Sequence, residues 1–226
     1  MIVDENPGTA LSSVTAPDAD RTMLGAASER LAQEFAAVAN AATVERILAG
    51  SYTHLAAIGI AGDRLPGFAE RFARERLTAL ARAEGRAVHT GPTVLFVCTH
   101  NAGRSQMALG FFNRLAGNRA SAWSCGSAPD VAVNPLVVAV MAERGVDIAD
   151  EFPKPWADEL MRAADVIIDM GCGDTDPIIA GHRFEQWPLP DPVGEDIEEI
   201  RGIRDEIEVR VRRLVANLGL AASPVS

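Results

Sequence analysis

A chain of 226 residues with 48% hydrophobic side chains can build one large domain, or a medium domain with a smaller companion. Its formal charge of -10 argues against nucleic acid as the main partner but permits a small anion held in a local cradle of N–H groups. Cys98, Cys125 and Cys172 are too few, and odd in number, for a disulfide scaffold.

There is no run of about 18 apolar residues, and "MIVDENPGTA" lacks the basic start and apolar stretch of an export signal. A cytoplasmic protein with no membrane partner is expected. Residues 1–20, with Pro7, Gly8, Pro17 and several Asp and Ser, read as a flexible tail. Residues 21–90 are helical in pattern and predict a three-helix domain. Leu24, Leu31, Phe35 and Val38 share one face, and Val44, Ile47, Leu48, Tyr52 and Leu55 another. Pro66 suits a helix start, and Gly85 suits its end. Arg64, Arg71, Arg74, Arg76, Arg82 and Arg86 are interleaved with Glu70, Glu75 and Glu84, which reads as a solvated helix face rather than a basic patch. So small a bundle gains by burying an apolar face on a neighbour, so docking or homodimerisation through these helices is expected.

Residues 91–226 alternate strands and helices. "TVLFVC" reads as a buried strand and "RSQMALGFFNRLAG" as a helix stopped by Gly117. "ASAWSC" is a second strand, "NPLVVAVMAERG" a helix opened by Pro135, and "ADVIIDMG" a third strand. "RFEQWPLPDP" holds a short fourth strand, and a last helix runs from about 195. The expected fold class is α/β: a parallel four-stranded sheet with helices on both faces, preceded by the small all-α domain. Ligands of such sheets sit beyond the carboxyl ends of the strands, where all three cysteines fall.

Cys98 is followed after five residues by Arg104 and Ser105. A strand, a tight loop and a helix start turn successive N–H groups inward, so Thr99, His100, Asn101, Ala102, Gly103, Arg104 and Ser105 form a candidate oxyanion-binding loop. Gly103 permits the turn, and Arg104 offers a planar fork for two oxygens of a tetrahedral anion. A thiol in that field is favoured as thiolate and becomes a nucleophile toward the central atom of phosphate or arsenate. Ser105 can donate to the sulfur, and Asn101 can fix the loop. The lysine of a nucleotide-binding loop is absent.

Residues 93–218 resemble the low-molecular-weight protein tyrosine phosphatase superfamily and, within it, the arsenate reductases. "CTHNAGRSQMA", "VNPLVVAVMAERGVDI", "DMGCGD" and "LPDPVG" carry the likeness. The helical region before them resembles a three-helix extension of some actinobacterial members. The resemblance implies thiol-dependent reduction of arsenate, with phosphate as analogue, through an intermediate on Cys98. It makes Asp191, in Asp191-Pro192, the general acid. Cys172, between Gly171 and Gly173, becomes the thiol that attacks Cys98. Thioredoxin-coupled relatives carry a second cysteine here, before a proline, where this chain has Asp176-Pro177. Two routes stay open: a Cys98–Cys172 disulfide reduced by a thioredoxin-like protein, or attack by a small thiol such as mycothiol with a mycoredoxin-like partner. The arginine-rich composition, with Lys154 the single lysine, mildly favours mycothiol. The alternatives are a phosphatase of phosphomonoesters and a non-catalytic oxyanion sensor. Cys125 is expected to be structural and His100 to face solvent. Some relatives hold a monovalent cation with a glutamate where Leu109 stands. With His54 and His182 isolated, no metal or bound cofactor is expected.

Overall fold

In the computed structural model, residues 11, 14–86, 91–172 and 182–220 are described. Most of the expected tail (1–10 and 12–13) and the Asp176-Pro177 segment lie outside them. The chain folds as two compact units, Met1–Val88 with Trp156–Ala163, and His89–Pro155 with Ala164–Ser226.

The first unit holds α1 (Asp18–Glu34), α2 (Ala41–Ala57) and α3 (Leu65–Ala83), joined by α6 (Asp158–Ala163) from much later in the chain. Asn40 caps α2 by accepting from Thr43 N at 2.9 Å, Pro66 occupies the first turn of α3, and Gly85 follows it at φ +69°. The helix start at Asp18 takes the last three residues of the expected tail. Phe35, expected on the first helical face, is instead the C-cap of α1, and Val38 follows in a turn. The interior is Leu24, Leu31, Ile47, Leu48, Leu55, Phe72 and Leu77. Arg76 is buried among them and forms two hydrogen bonds to Glu159 of α6, at 3.0 and 3.3 Å. Arg74 and Arg82 of α3 also find partners inside the unit. Arg74 pairs with Glu34 and Glu70, and Arg82 Nε donates to Ala163 O at 3.1 Å. Met23 is the one large apolar side chain of this unit left exposed among the described residues.

The second unit is a four-stranded sheet of β1 (Thr93–Cys98), β2 (Ser121–Gly126), β3 (Val166–Asp169) and β4 (Arg183–Gln186), with α4 (Arg104–Ala116), α5 (Pro135–Glu143) and α7 (Ile197–Asn217). The order is β2-β1-β3-β4 with every pairing parallel, as alternating strands and helices require. Val94 and Phe96 of β1 alternate onto one face with Val166 and Ile168 of β3, and the buried sides of α4, α5 and α7 complete that core. Phe96 meets Phe112 edge to face at 5.8 Å. The strand order reverses direction between β1 and β3, so the crevice for a ligand opens beyond their carboxyl ends. No helix among the described residues is long and apolar enough to cross a membrane.

Candidate active site

Cys98 ends β1 and Arg104 opens α4, so the five residues between must reverse the chain in very little space. Asn101 does so at φ 47°, a left-handed conformation that asparagine tolerates better than most residues. Its side chain is fully enclosed. Asn101 Nδ2 donates to Ser105 Oγ at 2.8 Å, and its Oδ1 accepts from Lys154 N at 2.8 Å and Gln106 Nε2 at 3.2 Å. A Cβ on Gly103 would stand 2.5 Å from Pro192 Cγ, and one on Gly126 2.6 Å from Thr99 O, so both positions need glycine.

The loop carbonyls are all turned outward. Those of Cys98, Thr99, His100 and Ala102 accept from the backbone of Ser127, Ala128, Asp130 and Asn134, at 2.8 to 3.3 Å. Asn101 O accepts from Gln106 Nε2, and Gly103 O closes the first turn of α4. With the carbonyls committed, the amides of Ala102 and Gly103 have no protein acceptor among the described residues, as an anion nest needs. Cys98 Sγ sits beneath the nest, 3.2 Å from Asn101 N and 3.0 Å from Ser105 Oγ. Because Ser105 Oγ already accepts from Asn101, its own proton is free to point at the sulfur.

The sulfur opens into a cavity of about 350 Å³, lined also by His100, Arg104, Asp130, Val131, Asp191 and Pro192. Arg104 is nearly buried. Its Nη2 donates to Asp191 Oδ2 at 2.5 Å, and its Nη1 to Leu189 O at 3.3 Å. Asp191 Oδ1 accepts from Val193 N at 3.0 Å, which fixes the Asp-Pro turn. The Cys98 sulfur, the Arg104 guanidinium and the Asp191 carboxyl thus line one cavity.

Cys172 lies just past β3, on a turn built by Asp169, whose Oδ1 accepts from Gly171 N and Cys172 N at 3.0 Å each. Thr99 Oγ1 donates to Gly171 O at 2.6 Å, and a Cβ on Gly171 would come 2.7 Å from Arg104 Nη1. One hydrogen bond thus ties the turn to the loop after β1, and Arg104 lies close against Gly171. Burial pushes the Cys172 thiol far up, and a hydrogen bond and charge from Asp169 add to that, followed by Cys98 and Cys125. None of the three cysteines forms a disulfide. Cys125 is buried on β2 opposite Val97.

His100 departs from expectation. Its ring is 37% exposed, yet Nδ1 is shielded from solvent and lies 3.6 Å from Asp191 Oδ2. Asp169 and the backbone of Lys154 were also missed by sequence reasoning. Their roles depend on residues far away in the chain, so the local sequence carries no signal for them.

The low molecular weight phosphotyrosine protein phosphatase pattern matches residues 93–222, and a protein-tyrosine-phosphatase-like N-terminal domain matches residues 24–81. A thioredoxin-dependent arsenate reductase of Corynebacterium glutamicum is 41% identical, with a TM-score of 0.80 over 88% of this chain and 98% of its own. The glutaredoxin arsenate reductase of a Synechocystis strain is 36% identical over 128 residues, 55% of this chain and 97% of that protein. An arsenate reductase solved in a phosphate-binding state is 33% identical, with a TM-score of 0.50 over 56% of this chain and 98% of its own. A nested sulfur beneath outward-turned carbonyls, a buried arginine and an Asp-Pro turn stand within the matched segment, and the chain belongs to the low molecular weight phosphotyrosine protein phosphatase family.

Proposed function

We propose that this protein reduces arsenate to arsenite. Arg104 and the amides of the loop from Thr99 to Ser105 receive the oxyanion, and Cys98 attacks arsenic. A sulfur–arsenic bond forms as an arsenic–oxygen bond breaks, and the oxygen leaves as water with a proton supplied from Asp191. Cys172 then attacks the Cys98 sulfur, its proton passing to the Asp169 carboxylate to which it hydrogen-bonds. The sulfur–arsenic bond breaks and its electron pair stays on arsenic. Arsenic goes from the +5 to the +3 state, and the two thiols become a disulfide. A cytoplasmic thioredoxin-type dithiol restores the thiols by exchange.

The observation that carries this reading is the placement of the Cys172 turn, hydrogen-bonded to the loop through Thr99 and lying close against Arg104. A hydrolase needs no second thiol there. The relatives that are arsenate reductases support the same direction.

Arsenate-dependent NADPH oxidation, with thioredoxin and its reductase supplied, tests the reaction, and a parallel arm supplies mycothiol and mycoredoxin. Cys98→Ser is expected to abolish turnover and Cys125→Ser to keep most of it. Cys172→Ser is expected to lose the thioredoxin-coupled rate. Unchanged activity of that variant with mycothiol would assign the second step to the external thiol. Rapid hydrolysis of an aryl phosphate with no response to arsenate would overturn reduction in favour of a phosphatase.

A further inference from the structure

A carboxyl acts as a general acid only when it carries a proton, and Asp191 is held by Arg104 Nη2 at 2.5 Å, a partner suited to a carboxylate. An incoming oxyanion competes for the same guanidinium. Once it binds, Asp191 loses its cation and faces a new negative charge. A nearby donor must supply that proton.

Among the described residues, the titratable side chains lining the cavity besides Asp191 are Cys98, His100, Arg104 and Asp130. Cys98 is committed as nucleophile, Arg104 does not release protons, and a second carboxyl has the same shortage as the first. Imidazole is the side chain that exchanges protons near neutral pH. His100 Nδ1 lies 3.6 Å from Asp191 Oδ2, on the oxygen that Arg104 also holds. It is shielded from solvent with no hydrogen-bond partner among the described residues, although the ring is 37% exposed. A buried nitrogen without a hydrogen bond, 3.6 Å from a carboxylate oxygen and on a ring that reaches solvent, has the geometry of a proton carrier. Asp130 N holds the backbone of His100 through its carbonyl at 2.9 Å, which limits where the ring can go.

From this geometry we infer that His100 reloads the general acid: when an oxyanion takes Arg104, Asp191 pairs with His100 Nδ1 and receives its proton. Asp191 then passes a proton to the oxygen that departs as Cys98 bonds to the central atom, and His100 recovers its proton from solvent. His100 acts through Asp191 and is a positioning and relay residue. The inference rests on the oxyanion reading of the site given above.

The test is a double-mutant cycle on arsenate turnover, using His100→Gln, Asp191→Asn and both together in the full chain. His100→Gln is expected to lower kcat at pH 7 about tenfold, with KM for arsenate within twofold. The pH profile of kcat is expected to differ between the wild type and His100→Gln, because the variant has no imidazole to pass a proton to Asp191. The double variant is expected to be no slower than Asp191→Asn alone, since the two act in series. Imidazole in the buffer is expected to restore rate to His100→Gly. A wild-type kcat and pH profile in His100→Gln, or losses that multiply in the double variant, overturn the relay. Should the wild type hydrolyse aryl phosphates and leave arsenate untouched, arsenate reduction fails alone, and the same cycle on the aryl phosphate decides the role of His100.

Discussion

Cys98 Sγ receives a backbone N–H from Asn101 and faces the Ser105 hydroxyl, whose proton is free because its oxygen already accepts from Asn101. Removing that hydroxyl takes away one of the sulfur's two hydrogen bonds and leaves the Asn101 amide without its acceptor. A hydrogen bond to a charged group contributes about 1.5–3 kcal/mol, so Ser105→Ala is expected to slow alkylation of Cys98 and arsenate turnover by about tenfold or more. An unchanged rate of iodoacetamide labelling would show that the hydroxyl does not serve the sulfur. Cys172 is held in its thiol form. Burial and then the Asp169 carboxylate disfavour its thiolate. Asp169→Asn keeps an oxygen for the Gly171 and Cys172 amides and removes the charge, so the labelling midpoint of Cys172 is expected to fall to lower pH. Mass spectrometry of the labelled peptide across pH 7 to 10 checks the direction. The two thiols were not equally readable in the sequence. The Cys98–Arg104 spacing is a contiguous signal, because one short loop builds the whole nest. Asp169 and His100 gain their roles only when β3 and the Asp191 turn are brought beside that loop.

Most elements with long apolar periods were legible in the sequence, although α1 ends before Phe35 and Val38. The strand read from "TVLFVC" is β1 itself, and Pro135 and Gly117 mark the ends expected of them. The helix α6 was not anticipated, since six residues hold less than two turns and cannot display a period. What holds α6 is tertiary: Leu160 is buried, and Glu159 forms an enclosed ion pair with Arg76 at 3.0 Å. Burial opposes ionisation of Glu159, but the charge and hydrogen bonds of Arg76 outweigh it, so its carboxyl lies below the usual range. Glu159→Ala leaves a buried guanidinium without its carboxylate and is expected to cost about 3–5 kcal/mol, read as a lower urea midpoint. Replacing both partners by leucine is expected to recover most of that loss. The pH dependence follows from the lowered carboxyl. Its contribution is present above the unfolded value near 4.5 and is lost as pH falls through the folded one. The urea midpoint of the wild type should therefore drop more steeply below about pH 4.5 than that of Glu159→Gln. Equal slopes would show that the pair does not couple protonation to folding.

Two family patterns, at residues 24–81 and 93–222, divide the chain cleanly in sequence, whereas the compact units do not follow that division. The second pattern includes residues 156–163, which pack in the first unit. The backbone therefore passes between the units near residue 88, after Pro155 and after Ala163. Chains made of two units commonly unfold in two steps, because few covalent or packing ties link the parts. Here only two residues separate α6 from β3, which is an interior strand of the sheet and leads directly to Cys172. Melting the first unit releases α6, and the released segment starts at the edge of the strand on which the Cys172 turn depends. A single calorimetric transition is expected, with calorimetric and van't Hoff enthalpies equal within experimental scatter. The same link predicts that Glu159→Ala, a substitution in the first unit, speeds labelling of Cys172 in the second. Two separated calorimetric peaks, with Cys172 labelling following only the second, would show that the units unfold independently and that α6 transmits nothing to the site.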